Sequence, residues 1–138
     1  MTSPPHASAG GASAAPSAHT VELLYAVAYD LHSHEQWEGA ARFFRALVLG
    51  VPNDERGWLG LADCHRRLGQ EELAAELLGA GMIAAHPSAR CAFARHGVLV
   101  ALGADEAAEA LEQALELGEA SDDDDVRALC RDAGRRAA

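Results

Sequence analysis

Aromatic residues are scarce in this sequence of 138 residues, which has two tryptophans, two tyrosines and three phenylalanines. Apolar residues still make up 49% of the chain, and alanine and leucine supply most of them. A chain poor in aromatics but rich in alanine and leucine favours closely packed helices over a β-sandwich. The length suits one domain with a sizeable hydrophobic core.

Cysteines and long apolar runs are also few. The three cysteines, Cys64, Cys91 and Cys130, are odd in number and lack short spacing, which argues against a disulfide framework or a zinc site. Buried free thiols are the favoured interpretation. No apolar run reaches the roughly 18 residues of a membrane span, and the N-terminus lacks the features of a secretory signal. These patterns predict a cytoplasmic protein.

The formal net charge is −10, which disfavours a nucleic acid or an anionic membrane as partner. The sequence contains no serine nucleophile motif, phosphate-binding loop or zinc-protease motif. Cys64 and His65 are adjacent and therefore face different sides of a helix, so a core thiol and a surface imidazole are favoured over a catalytic pair. The sequence predicts a binding module with no enzymatic activity, no cofactor and no metal site.

One apolar pattern occurs twice, with corresponding residues 34 positions apart. The corresponding residues are Leu24 and Trp58, Ala28 and Ala62, Ala40 and Ala74, and Phe44 and Leu78. This spacing is typical of the tetratricopeptide repeat, a helix–turn–helix unit that stacks into a solenoid. A third, less regular copy follows. The predicted fold is all-α: an α-solenoid of three tetratricopeptide helix pairs plus a C-terminal capping helix.

The predicted organisation has three parts. Residues 1–19 form a disordered tail rich in Ala, Ser, Pro and Gly, residues 20–118 form the repeat domain, and residues 119–138 form an acidic turn and the capping helix. The predicted N-caps are Thr20, Asn53 or Asp54, Ser88, and Ser121 or Asp122. Helix capping is favoured over calcium binding for the aspartates at 122–125. The last helix is expected to bury Val126, Leu129, Cys130 and Ala133.

The first helix of each pair is expected to line a concave groove. The predicted peptide-binding residues are Tyr25, Tyr29, His32, Arg56, Leu59, Asp63, Arg66 and Phe93. Their aromatic and aliphatic members would form the floor, since tyrosine is a good peptide anchor. Packing of the two tyrosines against the tail or a dimer partner is the alternative. The groove lacks the Lys and Asn clamp that holds a C-terminal carboxylate, so an extended segment with apolar anchors fits better.

A set of short motifs resembles the class II chaperones of type III secretion, the small acidic tetratricopeptide chaperones of two hydrophobic translocator proteins. These motifs are Leu24-Tyr25-x-x-Ala28-Tyr29, Trp37-Glu38-x-Ala40, Phe44-x-Ala46-Leu47, Asp54-x-Arg56, Leu59-Gly60-Leu61-x-x-Cys64, Gly69-Gln70 and Gly81-Met82. A generic repeat does not require Asp54, Arg56, Cys64 or Gln70. The resemblance extends over residues 20–117.

The resemblance implies a cytoplasmic, ATP-independent chaperone whose concave face holds an extended translocator segment of the type P-x-L-x-x-P. By position, Tyr25, Tyr29, Leu59 and Asp63 would line its pockets. It also allows a homodimer, although family members form dimer contacts with an N-terminal helix where this chain has its tail. The alternative is a tetratricopeptide scaffold or adaptor of a secretion apparatus, including a needle-subunit chaperone that grips an amphipathic helix.

Overall fold

The computed structural model describes residues 15–137, and every regular element in that range is an α-helix. The helices are α1 (Ala18–Ser33), α2 (Trp37–Gly50), α3 (Glu55–Arg67), α4 (Glu71–Ala84), α5 (Ala89–Leu102), α6 (Ala107–Glu119) and α7 (Asp124–Ala137). They form the pairs α1/α2, α3/α4 and α5/α6, and each second helix also packs on the first helix of the next pair. This stacking confirms the predicted all-α solenoid. None of the described helices is both long and apolar enough to cross a membrane.

Helix α1 begins earlier than predicted. Ser17 is its N-cap, because the Ser17 hydroxyl accepts a hydrogen bond from the backbone N–H of Thr20 at 3.1 Å. Thr20 therefore lies inside the first turn, and its prediction as the cap was wrong. Both residue types cap helices well, so composition alone could not choose between them. Most of the predicted tail, residues 1–14, lies outside the described residues, and the proposed domain boundaries remain predictions.

The tight turn inside each helix pair contains one residue in the left-handed region. These residues are Glu35 at φ 59°, Gly69 at φ 78° and Gly103 at φ 66°. Glycine adopts this conformation freely, whereas a residue with a Cβ atom pays about 1 kcal/mol or more. The backbone of the first turn is therefore strained at Glu35, whereas the other two turns have glycine at this position and are unstrained.

The core forms two clusters that meet at Trp58 and Leu77. Phe44 is fully buried among α1, α2 and α3, and Leu78 is 2% exposed in the second cluster. Two glycines make this packing possible. A Cβ atom on Gly60 would overlap the Phe44 ring, and one on Gly81 would lie 2.7 Å from the Cβ of Trp58. The close approach of α2 to α3, and of α3 to α4, therefore depends on these two small residues.

The terminal helix α7 closes the array against α6 and α5. Asp123 caps it, because its carboxylate accepts hydrogen bonds from the N–H groups of Asp125 at 2.9 Å and Val126 at 3.3 Å. The prediction of Ser121 or Asp122 as the cap was wrong by one or two residues. Val126 is buried as predicted, but Leu129 is 39% exposed and was wrongly assigned to the core.

Candidate functional site

Helices α1, α3 and α5 share one face of the solenoid, and the predicted site residues fall into three groups along it. Arg56 joins α3 to Glu22 on α1, and Asp63 joins α3 to His32 on α1. Farther along, two adjoining cavities lie beside α5. Polar contacts thus occupy the α1–α3 part of the face, while open space lies toward α5 and α7.

Arg56 is the centre of the first group. Its guanidinium donates to both Glu22 oxygens at 3.0 and 2.8 Å and to Asp54 Oδ2 at 2.8 Å. The guanidinium carbon also lies 4.0 Å from the centroid of the Tyr25 ring. Tyr25 is only 2% exposed. Its ring therefore belongs to the core beneath Arg56, and the expectation that it forms an open part of the floor differs from the structure.

The charges of this cluster shift its titration. The hydrogen bond from Arg56 lowers the pKa of Glu22. Burial alone would raise the pKa of Asp54, but hydrogen bonds from Arg56 outweigh it and the pKa is lowered. Burial also raises the pKa of Tyr25, whose hydroxyl has no hydrogen-bond partner among the described residues. Two ionised carboxylates thus hold Arg56 in place over a neutral tyrosine.

Tyr29 is the accessible aromatic residue of the groove. It is 46% exposed, and its ring meets the edge of Phe44 with centroids 5.4 Å apart. It also stacks on Tyr25 at 6.0 Å. Burial raises the pKa of its hydroxyl. Tyr29 is therefore held in position from below by core aromatics while one side of its ring remains available to a ligand.

His32 and Asp63 form a direct bridge between α1 and α3. His32 Nε2 donates to Asp63 Oδ2 at 2.6 Å, and both side chains are about one-third exposed. Arg67 lies 3.6 Å from the same carboxylate oxygen, and the His32 ring meets the edge of Trp37 at 4.8 Å. The structure thus brings together two residues that the repeat spacing placed on one face.

Leu59 lines a cavity between α3 and α5 with a volume of about 270 Å³. Asp63 and Arg66 lie at the same cavity, and Ala62, Leu78, Ala94, Gly97 and Val98 complete its wall. Leu59, Asp63 and Arg66 were all predicted from the repeat. Their convergence produces an apolar recess with a carboxylate and a guanidinium at its edge.

Phe93 lines a second cavity, of about 320 Å³, at the end of the array near α7. His96, Gly97, Leu111, Leu129, Asp132, Ala133 and Arg136 line the rest. Gly97 borders both cavities and joins them into one recess. Sequence reasoning missed Gly97, although the 34-residue spacing from Asp63 identifies the position. Leu129, which was assigned to the core, instead lines this opening.

The cysteine chemistry of the site region is unremarkable. Cys64 and Cys91 have no exposed surface, and burial raises the pKa of each thiol to about 11. His65 donates from Nδ1 to Gln70 Oε1 at 2.6 Å, in the turn between α3 and α4. A buried, protonated thiol is a poor nucleophile. Cys64 and Gln70, which a generic repeat does not require, therefore have structural roles in α3 and its turn.

Comparison with known proteins points to one group. No protein-family profile matches the chain. The low calcium response locus protein H of Yersinia pestis is 34% identical over 67 residues. That match covers 49% of this chain and 40% of the Yersinia protein, so it spans less than half of that relative.

The fold comparison extends over most of the chain. PcrH from Pseudomonas aeruginosa superposes with a TM-score of 0.76 and 29% identity, covering 87% of this chain and 90% of that one. SycD of Yersinia enterocolitica, solved with a peptide of the translocator YopD, has a TM-score of 0.68 and 25% identity, covering 88% of this chain and 98% of that one. PcrH was also solved with the chaperone binding regions of PopD and PopB. The resemblance seen in the sequence motifs is thereby confirmed: the structural neighbours of this chain are class II translocator chaperones of type III secretion.

Proposed function

We propose that this chain is a cytoplasmic, ATP-independent chaperone that binds an extended segment of a hydrophobic translocator protein. The binding site is the groove along α1, α3 and α5. The observation that carries the proposal is the recess from Leu59 past Gly97 to Phe93, which is open and largely apolar. Complexes of PcrH and SycD with translocator segments support the same function.

The recess suits the side chains of an extended segment. Alternate residues of an extended chain lie about 7 Å apart on one side, so apolar anchors can enter separate depressions while the intervening residues face water. The Leu59 cavity takes one anchor and the Phe93 cavity takes another. Tyr29 provides a third apolar contact at the α1 end, with Tyr25 supporting it from beneath. In a segment of the type P-x-L-x-x-P the first proline and the leucine are alternate residues with this spacing, and the second proline follows three residues later.

Polar groups at the edge bind the backbone of the segment. An extended segment brings N–H and C=O groups into the groove, and these need partners once water is displaced. Arg66 offers donors, and Asp63 offers an acceptor beside His32. Because backbone recognition is independent of sequence, these residues supply affinity, while the cavities supply specificity.

A chaperone of this kind works by occupancy and needs no catalysis. Burying the apolar residues of a client lowers its tendency to aggregate, and the acidic exterior keeps the complex dissolved. We accordingly assign no enzymatic activity, cofactor or metal to the chain. Dimer formation remains a separate expectation.

The direct test is co-expression with a candidate translocator, followed by affinity capture and mass spectrometry. Leu59→Glu places a charge in the recess and should reduce client capture by at least about tenfold. Tyr29→Ala should give a smaller loss, because one face of the ring is already covered by Phe44. Cooperative thermal unfolding of each variant verifies that the fold is retained.

Leu49→Glu is the matched control, since Leu49 lies on α2 and is 78% exposed. It should capture as much client as the unmodified chain. Equal capture by Leu59→Glu and Leu49→Glu would exclude the groove as the site. Capture of a short helical needle protein, with no hydrophobic translocator, would favour the adaptor or needle-subunit chaperone instead.

A further inference from the structure

A second groove lies on the opposite side of the repeat array, between the outer helices α4 and α6. Both helices pack on α5, which forms the base between them. Two depressions follow this groove, and Met82, Ile83 and Gln113 border both of them. Their volumes are about 380 and 590 Å³. The shared residues make the two depressions one continuous surface.

The centre of the α4–α6 groove is apolar and unusually open. Ile83 is 82% exposed, the most exposed large apolar side chain in the described residues. Met82 and Leu117 lie beside it and are half-buried. An isoleucine this accessible gains little stabilisation from burial, and contiguous exposed apolar surface marks interaction sites.

The rim of the groove is acidic. Helix α4 carries three glutamates and α6 carries four, and neither helix contains a lysine, arginine or histidine. Glu106, Glu109 and Glu116 line the groove directly, against a single guanidinium from Arg95 on α5 and the His86 imidazole at one end. Within the described residues, no glutamate of α4 or α6 takes part in a salt bridge. Arg95 offsets only part of this negative charge, and the remainder favours a cationic partner.

We propose that the α4–α6 groove docks a cationic amphipathic helix of a partner protein. The apolar stripe of such a helix would cover Met82, Ile83 and Leu117, and its Lys or Arg flank would face Glu106, Glu109 and Glu116 on the α6 side of the groove. A groove between two helices of 13 or 14 residues matches about four turns of a third helix. A symmetric contact with a second copy would oppose the same glutamates and is disfavoured. The proposal is independent of client binding on the α1–α3–α5 face.

The test uses a designed helical peptide of about 18 residues, with leucine on one face and lysine on the other. Its binding to the full chain is measured by fluorescence anisotropy at low and physiological salt. A second peptide has the same composition in scrambled order, and a third has glutamate in place of lysine. The proposal predicts binding of the first peptide, at least about tenfold weaker binding of the scrambled one, and no binding of the acidic one.

Three substitutions locate the contact. Ile83→Glu should weaken binding of the lysine peptide by about tenfold or more, since it removes the apolar anchor. The pair Glu109→Gln and Glu116→Gln should weaken it by about threefold and reduce its salt dependence. Two controls should leave the affinity for the lysine peptide unchanged: Leu49→Glu on α2, and Leu59→Glu in the groove along α1, α3 and α5. A failure of the client proposal can therefore be distinguished from a failure of this one.

Several results would overturn the proposal. Equal affinity for the ordered and scrambled peptides would mean non-specific charge attraction. Loss of peptide binding in Leu59→Glu but not in Ile83→Glu would place the peptide in the client groove. The chain could instead fail to bind the peptide but self-associate in a concentration-dependent way. If Ile83→Glu abolishes that self-association, this surface binds a second copy of the chain.

Discussion

The two ends of the client groove are built differently. Between α1 and α3 the surface is closed by direct contacts: Arg56 covers Tyr25, and His32 bridges to Asp63. Between α5 and α7 the groove is open, with a half-buried Phe93 and with Gly97 at a position where the earlier repeats have Tyr29 and Asp63. The same repeat position therefore provides a side chain in the first two units and empty space in the third.

This difference separates stability from binding. Polar bridges hold α1 and α3 together without a client, so that part of the groove is preorganised. The recess near Gly97 has surface that only a ligand can cover, so this surface contributes to the free energy of binding. Substitutions of the bridging residues Arg56 and His32 should therefore change mainly the free energy of unfolding, whereas substitutions that fill or charge the recess should change mainly the affinity for the client.

The sharpest contrast is between two glycines. Gly60→Ala would place a methyl group in the fully buried Phe44 ring and should lower the free energy of unfolding by about 2–3 kcal/mol. The Cβ atom of Gly97→Ala would have no atom within 4 Å, so this substitution should raise the free energy of unfolding by up to about 1 kcal/mol. It should also narrow the recess that the client enters. Urea unfolding measures both. Similar midpoints for the two variants would contradict the close packing of Gly60.

The second contrast is between two arginines of α3. Arg56→Ala removes the bonds to Glu22 and Asp54 and uncovers Tyr25, with an expected loss of about 1 kcal/mol because the guanidinium is partly screened by water. Arg66→Ala removes an exposed side chain and should change stability by less than about 0.5 kcal/mol. Thermal melts of both variants provide the comparison. An equal effect would mean that the Arg56 cluster contributes nothing specific.

The same cluster predicts a pH dependence. The pKa values of Glu22 and Asp54 are lowered in the folded chain, so the unfolded chain binds more protons as the solution is acidified. The stabilisation is complete above the unfolded pKa values, about 4, and is lost as pH falls through the lower folded values. Urea midpoints of the chain and of Arg56→Ala should therefore converge on acidification. A gap that does not narrow as the pH falls below about 4 would contradict this assignment.

The smallest predicted effect concerns the first tight turn. Glu35 has φ 59°, whereas the equivalent turns use Gly69 and Gly103. Glu35→Gly should raise the free energy of unfolding by about 0.5–1 kcal/mol, since relief of strain exceeds the entropic cost of glycine. Gln36→Gly, one residue later, is the matched control and should not stabilise. A destabilised Glu35→Gly variant would show that the glutamate side chain contributes more than its backbone strain costs.

The fold was largely predictable because a short unit repeats. A pattern with fixed spacing determines which faces of each helix are apolar, and the corresponding residues Phe44 and Leu78, 34 positions apart, are both buried. Asp54 caps α3 and Ser88 caps α5, as predicted. The errors at Ser17 and Asp123 occurred where several capping residues lie close together, because local preference does not distinguish between them.

The site was less predictable because its accessibility depends on contacts between repeats. The repeat position of Tyr25 correctly indicates its face, but the cover comes from Arg56, on the next repeat. Leu129 has helical spacing suited to burial, yet the gap beside Gly97 leaves it exposed. A side chain's direction follows from its own helix, whereas its exposure follows from the size of residues on the neighbouring helices.

The central claim is that an extended client segment binds along Leu59, Gly97 and Phe93. The most direct measurement is a titration of the isotopically labelled chain with a translocator peptide of the type P-x-L-x-x-P, followed by amide NMR spectra. We predict saturable shifts concentrated at Leu59, Asp63, Gly97 and Phe93, and none at Leu49 or Ile83. Shifts confined to α4 and α6, or the same shifts in the Leu59→Glu variant, would contradict the account.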